Sequence, residues 1–140
     1  TDHQTDLVTW RLEVSGRVEM PIQLKYSDIL SLPSIERDVL MICPGIFANH
    51  GRWKGISMNA LLQKIKVKDS VTLVTFRGPE GKYEKVERFY LKDVISNKVF
   101  LAYAVNGKTL PRKRGFPLRA VAEGHFGFNW VKYVNKISLD

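Results

Sequence analysis

Val39-Leu40-Met41-Ile42-Cys43-Pro44-Gly45 is the stretch on which the reading of this chain turns. Its uninterrupted apolar run is the mark of a buried strand, and the proline-glycine pair stops it. Apolar residues on both faces place such a strand in the middle of a sheet. It carries Cys43, the only cysteine of the chain, to a strand end, where binding and catalytic residues commonly collect. Charge sharpens the point. From Val39 to Lys68 there is no acidic residue, while Arg52, Lys54, Lys64, Lys66 and Lys68 are basic; from Val94 to Ala122 there is again none, with Arg112, Lys113, Arg114 and Arg119 present. A thiol among cations is held as thiolate, a nucleophile or a metal ligand. The competing reading of a lone cysteine is a small buried hydrophobe.

Outward from this strand, the pattern is one of short strands with a few short helices. Trp10-Arg11-Leu12-Glu13-Val14 alternates apolar and polar residues and ends at Ser15-Gly16, and Ile22-Gln23-Leu24 follows Pro21 as a second strand. Ser27 is read as the N-cap of a helix to Leu32, stopped by Pro33. Ser57 caps a helix over Met58–Ile65 that turns Leu61, Leu62 and Ile65 inward. Val71 to Phe76 and Tyr83 to Tyr90 form a strand pair about the Gly78–Gly81 turn, followed by a helical segment from Leu91 to Asn97. Leu101–Val105 runs into Asn106-Gly107, a strong hairpin signal. Pro117–Ala122 and Trp130–Leu139 complete the sheet, the last strand alternating Val131, Tyr133, Asn135, Ile137 and Leu139 against Trp130, Lys132, Val134, Lys136 and Ser138. The expectation is one α+β domain over residues 1–140, mostly mixed β-sheet with short helices.

At 140 residues, 44% hydrophobic and 26% charged, the chain can bury a core and is neither a disordered nor a membrane-spanning sequence. No apolar stretch reaches transmembrane length. The net charge of +8 calls for anionic company. Nucleic acid is disfavoured, because the basic residues crowd around loops rather than along a helix or between stacking aromatics. A start at Thr1, without methionine, reads as a processed or excised chain. Export followed by cleavage and a cytoplasmic origin both remain open.

The order of landmarks resembles the molybdopterin-binding domain of the sulfite oxidase family, including its bacterial methionine-sulfoxide-reductase branch. The resemblance runs from Trp10-Arg11-Leu12-Glu13-Val14-Ser15-Gly16 through Cys43 and Gly51-Arg52-Trp53-Lys54-Gly55-Ile56. It continues in Leu101-Ala102, Asn106-Gly107, Gly115-Phe116-Pro117-Leu118-Arg119, Gly127-Phe128 and Trp130-Val131-Lys132. It implies a molybdenum-molybdopterin cofactor whose metal is ligated by the Cys43 thiolate, a soft donor for a sulfur-rich centre. It implies oxygen-atom transfer on a small sulfur oxo-compound such as sulfite or a sulfoxide.

Arg114, Arg119, Trp130, Val131 and Lys132 match the segments that bind the pterin and its phosphate. Arg52, with Cys43, is assigned to catalysis, and His50 and His125 are candidates for orienting an oxyanion or moving protons. Turnover requires a separate electron-transfer protein, a cytochrome or a membrane haem subunit, since a single cysteine cannot hold an iron–sulfur cluster. Two positions depart from the family: Glu123 stands where a proline is usual, and Asn129 where a lysine is. Only nine residues precede Trp10, whereas complete family pockets use a longer N-terminal segment. These departures imply an alternative, a non-catalytic relative that is cofactor-free or holds only a pterin or anion.

Overall fold

The computed structural model describes residues 3–43 and 47–140, so the expected Pro44-Gly45 turn lies outside the described residues. Among those residues the architecture is mostly β, with two five-stranded sheets and three short helices: α1 (Tyr26–Ser31), α2 (Met58–Ile65) and α3 (Leu91–Ile95). The first sheet orders its strands as β2 (Ile22–Leu24), β1 (Leu12–Gly16), β10 (Lys136–Leu139), β5 (Leu73–Arg77) and β6 (Val86–Tyr90). It is mixed, because β1 and β10 run parallel while its other pairs are antiparallel. The second sheet orders β3 (Ser34–Cys43), β4 (Phe47–Ile56), β7 (Val99–Val105) and β8 (Lys108–Thr109), and β9 (Arg119–Ala122) also pairs with β7. All of its pairs are antiparallel.

A single sheet was the expectation, and the last segment explains why there are two. From Trp130 to Asn135 the chain is irregular, and Tyr133 takes a left-handed φ of 57°. That turn breaks the expected alternation, so Trp130, Val131, Tyr133 and Val134 are all buried and regular alternation resumes only at Lys136. The irregular stretch bonds to the second sheet, with Ala120 N–H donating to the Val131 carbonyl (2.9 Å) and Val134 N–H to that of Leu118 (2.9 Å). It then enters the first sheet as β10. One segment thus joins the two sheets, and their inner faces share a contiguous cluster that includes Leu12, Phe76, Phe100, Leu118 and Trp130. Burial of each such side chain stabilises the fold by roughly 1.5–3 kcal/mol.

Local signals were obeyed where they are self-contained. The Ser57 hydroxyl accepts from Ala60 N–H (3.3 Å) at the start of α2, and Leu61, Leu62 and Ile65 are buried. Asn106 and Gly107 both have positive φ (53° and 79°), the conformation that a two-residue hairpin demands. The α1 cap was misread. Lys25 is the N-cap residue, its N–H donating to the Asp28 carboxylate (2.8 Å), and Ser27 lies inside the first turn.

The strand that ends in Cys43 is also placed differently from expectation. β3 is a ten-residue edge strand paired only with β4, not a central one. Its burial alternates, with Val39 and Met41 buried while Leu40 and Ile42 are exposed. An apolar run was therefore read as two buried faces when only one is buried. Beyond its paired side, the tip of the strand meets a single parallel bridge, Ile42 to Phe126.

Candidate functional site

Alternation along β3 puts Cys43 on the same face as Met41 and Val39, turned toward the core. The register sets Met41 opposite Asn49, Val39 opposite Gly51 and Arg37 opposite Trp53, so these β4 residues share that inner face. Cys43 itself is half-buried. Its sulfur lies under the 3-10 turn Gly127–Asn129, which the Ile42–Phe126 bridge holds against the strand. A Cβ built on Gly127 would fall 2.7 Å from the Cys43 Sγ, so the turn reaches the thiol only because that side chain is missing.

Behind the thiol lies Arg119, at the start of β9 and only 3% exposed. A buried guanidinium ordinarily meets a carboxylate. This one does not: Nη1 donates to the Arg114 carbonyl (3.0 Å), Nη2 to the Met41 Sδ (3.5 Å), and Nε has no partner among the described residues. It lies beside a T-shaped pair of indoles, 5.6 Å from the centre of Trp53 and 5.8 Å from that of Trp130, whose own centres are 5.6 Å apart. Burial is the main cause that brings its pKa down to about 10, the Arg114 charge adding to the fall, while Cys43 and Tyr133 oppose it. A second orphaned donor lies alongside. Among the described residues Trp53 Nε1 is buried without a partner, in the space that the missing side chain of Gly51 leaves open (2.7 Å from a Cβ built there). Unmet buried donors cost free energy, and these two are grouped around Met41 next to the only thiol.

Two clefts open on either side of this group. One, of about 250 Å³, is walled by Arg119, Lys132, Lys82, Lys85, Tyr83 and Phe128, with Gly127 at its inner end. Four cations face it against one carboxylate, Glu84. The other, of about 310 Å³, is bounded by Met41, Asn49, Gly51, Trp53, Asn106 and Arg114 among others. Arg119 lines the first and Met41 the second, and the two side chains are in contact at 3.5 Å.

The residues singled out from sequence divide accordingly. Cys43, Arg119, Trp130 and Lys132 come together, Lys132 donating to the Lys113 carbonyl (2.9 Å) on the wall of the basic cleft. Arg114 stands exposed in the second cleft, joined to Arg119 through its carbonyl. Val131 is fully buried and its carbonyl is taken by Ala120, so it shapes the site from within the core. Arg52 is not brought to Cys43. It lies on the outer face of β4, paired with Glu36 (2.9 Å) and Asp38 (3.2 Å), and those contacts, first the hydrogen bond to Glu36, raise its pKa. His50 is exposed at the edge of the second cleft. His125 is exposed against Phe89, with its carbonyl accepting from Trp130 Nε1 (3.3 Å). Glu123 pairs with Arg37 (3.0 Å) and Asn129 donates to Glu87, so neither enters the cleft as a competing group.

Several contributors were given no site role from the sequence, although Gly127 stood in one of its landmarks. Lys82, Tyr83 and Lys85 arrive from the β5–β6 connection, Met41 and Gly127 flank the sulfur, and His3 packs on Tyr83 and Tyr133 at 5.3 and 5.1 Å.

The site is thus a lone thiol backed by a buried arginine without a counter-ion among the described residues, beside a cationic cleft on two mostly antiparallel sheets. The chain belongs to the oxidoreductase molybdopterin-binding domain family, whose model matches residues 1–140. It is 31% identical to the uncharacterized oxidoreductase YuiH of Bacillus subtilis, over 96% of this chain and 67% of that protein. It is 29% identical to the protein-methionine-sulfoxide reductase catalytic subunit MsrP of Gluconobacter oxydans, over 93% of this chain and 46% of that protein. Its fold matches the sulfane dehydrogenase SoxCD of Paracoccus pantotrophus with a TM-score of 0.88 at 22% identity, covering 99% of this chain and 40% of that one. The chain thus spans about half the length of the MsrP relative. Among the described residues no helix is long and apolar enough to cross a membrane.

Proposed function

We propose that residues 1–140 act as one cofactor-holding unit of a molybdenum-pterin oxidoreductase, exchanging an oxygen atom with a small sulfur oxo-compound of the sulfite or sulfoxide type. The observation that carries this reading is Arg119, a buried cation with no carboxylate partner among the described residues, beside the only thiol. The residues fit the group. Its phosphate is an anion that the guanidinium lacks, the orphaned Nε of Arg119 and Nε1 of Trp53 are donors without acceptors among the described residues, and Cys43 is a soft sulfur ligand.

In this reading Cys43 ligates the metal, and Arg119 and Lys132 hold the phosphate end in the basic cleft. Arg114 steers anions into the second cleft, while Trp130 and Val131 fix Arg119 and the main chain around it. When bound, the molybdenum centre supplies two-electron oxygen-atom exchange, and the chain supplies binding, orientation and charge. Arg52 is left out of the chemistry, because its guanidinium is occupied on the opposite face. Electrons pass to or from a separate carrier protein. The MsrP relatives bear the name of a catalytic subunit, which supports a partner.

The test is metal analysis and assay of released oxidised pterin on chain purified from a molybdenum-replete host. Near-stoichiometric molybdenum and pterin are expected. Folded protein with neither would make this chain the cofactor-free relative.

A further inference from the structure

Arg119 is anchored at both of its terminal nitrogens. Nη1 donates to the Arg114 carbonyl (3.0 Å) and Nη2 to the thioether Sδ of Met41 (3.5 Å). Two acceptors at separate points set the plane of a guanidinium, and that plane decides where its remaining N–H groups aim. The carbonyl is main chain, so Met41 supplies the only side-chain acceptor of this group among the described residues. Met41 is itself held. It is only 5% exposed on the inner face of β3, opposite Asn49. The turn at Gly127 crowds it, a Cβ built there falling 2.9 Å from its Cγ and 3.1 Å from Sδ. Methionine usually fills space adaptably; here it has little room to turn. A thioether is also a weak, uncharged acceptor. It fixes the guanidinium without cancelling its charge, whereas a carboxylate in that place would close an ion pair.

We propose that Met41 is a positioning residue: its sulfur holds the Arg119 guanidinium in the orientation that meets an anion in the basic cleft, and leaves the charge free. The inference rests on reading Arg119 as the phosphate-holding arginine of that cleft, which it lines. It does not rest on the identity of the metal. Met41 touches neither the anion nor the metal in this account and acts only through Arg119.

The experiment titrates the metal-free full chain with inorganic pyrophosphate at pH 7 and low salt, read by calorimetry. The wild type is expected to bind and Arg119→Met is not. Met41→Leu keeps the volume and removes the acceptor, and should weaken binding roughly fivefold to tenfold, the worth of one such hydrogen bond. Met41→Gln restores a neutral acceptor on a side chain of similar length and should bind within about twofold of the wild type. Met41→Glu should weaken binding more than leucine does, because its carboxylate takes the charge. A packing role predicts the reverse order, with leucine tolerated and glutamine not. That reverse order, or wild-type affinity in Met41→Leu, would overturn the proposal.

Should Met41→Gln not fold, the nitrogen resonances of the Arg119 side chain decide. A guanidinium held at both ends gives separate Nη1 and Nη2 signals, and Met41→Leu should merge them; separate signals in that variant would reduce Met41 to packing. A wild-type chain that does not bind pyrophosphate would overturn the anion-site reading of Arg119 and this inference with it. The expected order of variants in a chain that never loads molybdenum would support the inference and sink the cofactor reading alone.

Discussion

Replacing Arg119 with methionine should remove an anion site with little or no loss of stability, contrary to the usual outcome for a buried side chain. Truncations in cores ordinarily lose about 2–5 kcal/mol. Here the native residue is itself a burden. Its pKa is lowered to about 10, chiefly through burial. At about 1.4 kcal/mol for each tenfold change in acidity, keeping the guanidinium charged in the folded chain costs roughly 3 kcal/mol. Against this stand the bonds to the Arg114 carbonyl and Met41 Sδ, about 1 kcal/mol each, and the cation–π contacts with Trp53 and Trp130, about 0.5–1 kcal/mol each.

The opposing terms nearly cancel, so Arg119→Met, which keeps the volume, should leave stability within about 1 kcal/mol or raise it. The sign with pH is fixed by linkage. A base with a lowered folded pKa destabilises the fold at every pH below about 10, and that cost fades as pH rises above it. Urea unfolding of the metal-free full chain at pH 7 measures the difference, and repetition above pH 10 should shift it in favour of the wild type. A loss of more than about 2 kcal/mol at unchanged m-value would refute the argument, showing that the guanidinium is already satisfied. Inorganic pyrophosphate should stabilise the wild type and not the variant, by about 1.4 kcal/mol at ten times its dissociation constant.

Cys43→Ser should keep the fold and lose metal-dependent turnover, checked by circular dichroism and activity on the same preparation; wild-type turnover would end the thiolate-ligand assignment. Arg119→Ala should lower retained pterin more than Lys132→Ala, because a forked, buried donor is lost rather than an exposed point charge. Equal retention in the two, read by pterin fluorescence, would remove that distinction. Arg52→Gln should leave molybdenum content and turnover unchanged, since its partners are Glu36 and Asp38 on the outer face. A drop in turnover at full metal loading would return Arg52 to the chemistry.

The reach of the sequence follows the range of the forces involved. The cap at Ser57 and the turn at Asn106-Gly107 are set by bonds within four residues, and both were legible. The placement of β3 was not, because Val39–Ile42 satisfies a central strand and a half-exposed edge strand equally, and only its single partner β4 decides between them. The face on which Arg52 lies was not legible for a related reason. In a strand the face of a residue is fixed by register, and a shift of one position would have turned Arg52 toward Cys43. Lys82 and Lys85 reach the cleft through a connection nearly forty residues from Cys43, and no local pattern announces such a convergence. What sequence did carry was an absence: two long segments without one acidic residue. The fold brings these segments together as the end of β3, β4, β7 and β9, and Arg119 is buried with no carboxylate partner among the described residues. A chain that withholds counter-ions from its own interior leaves that charge open to an anionic ligand, the role proposed above for the phosphate of the cofactor.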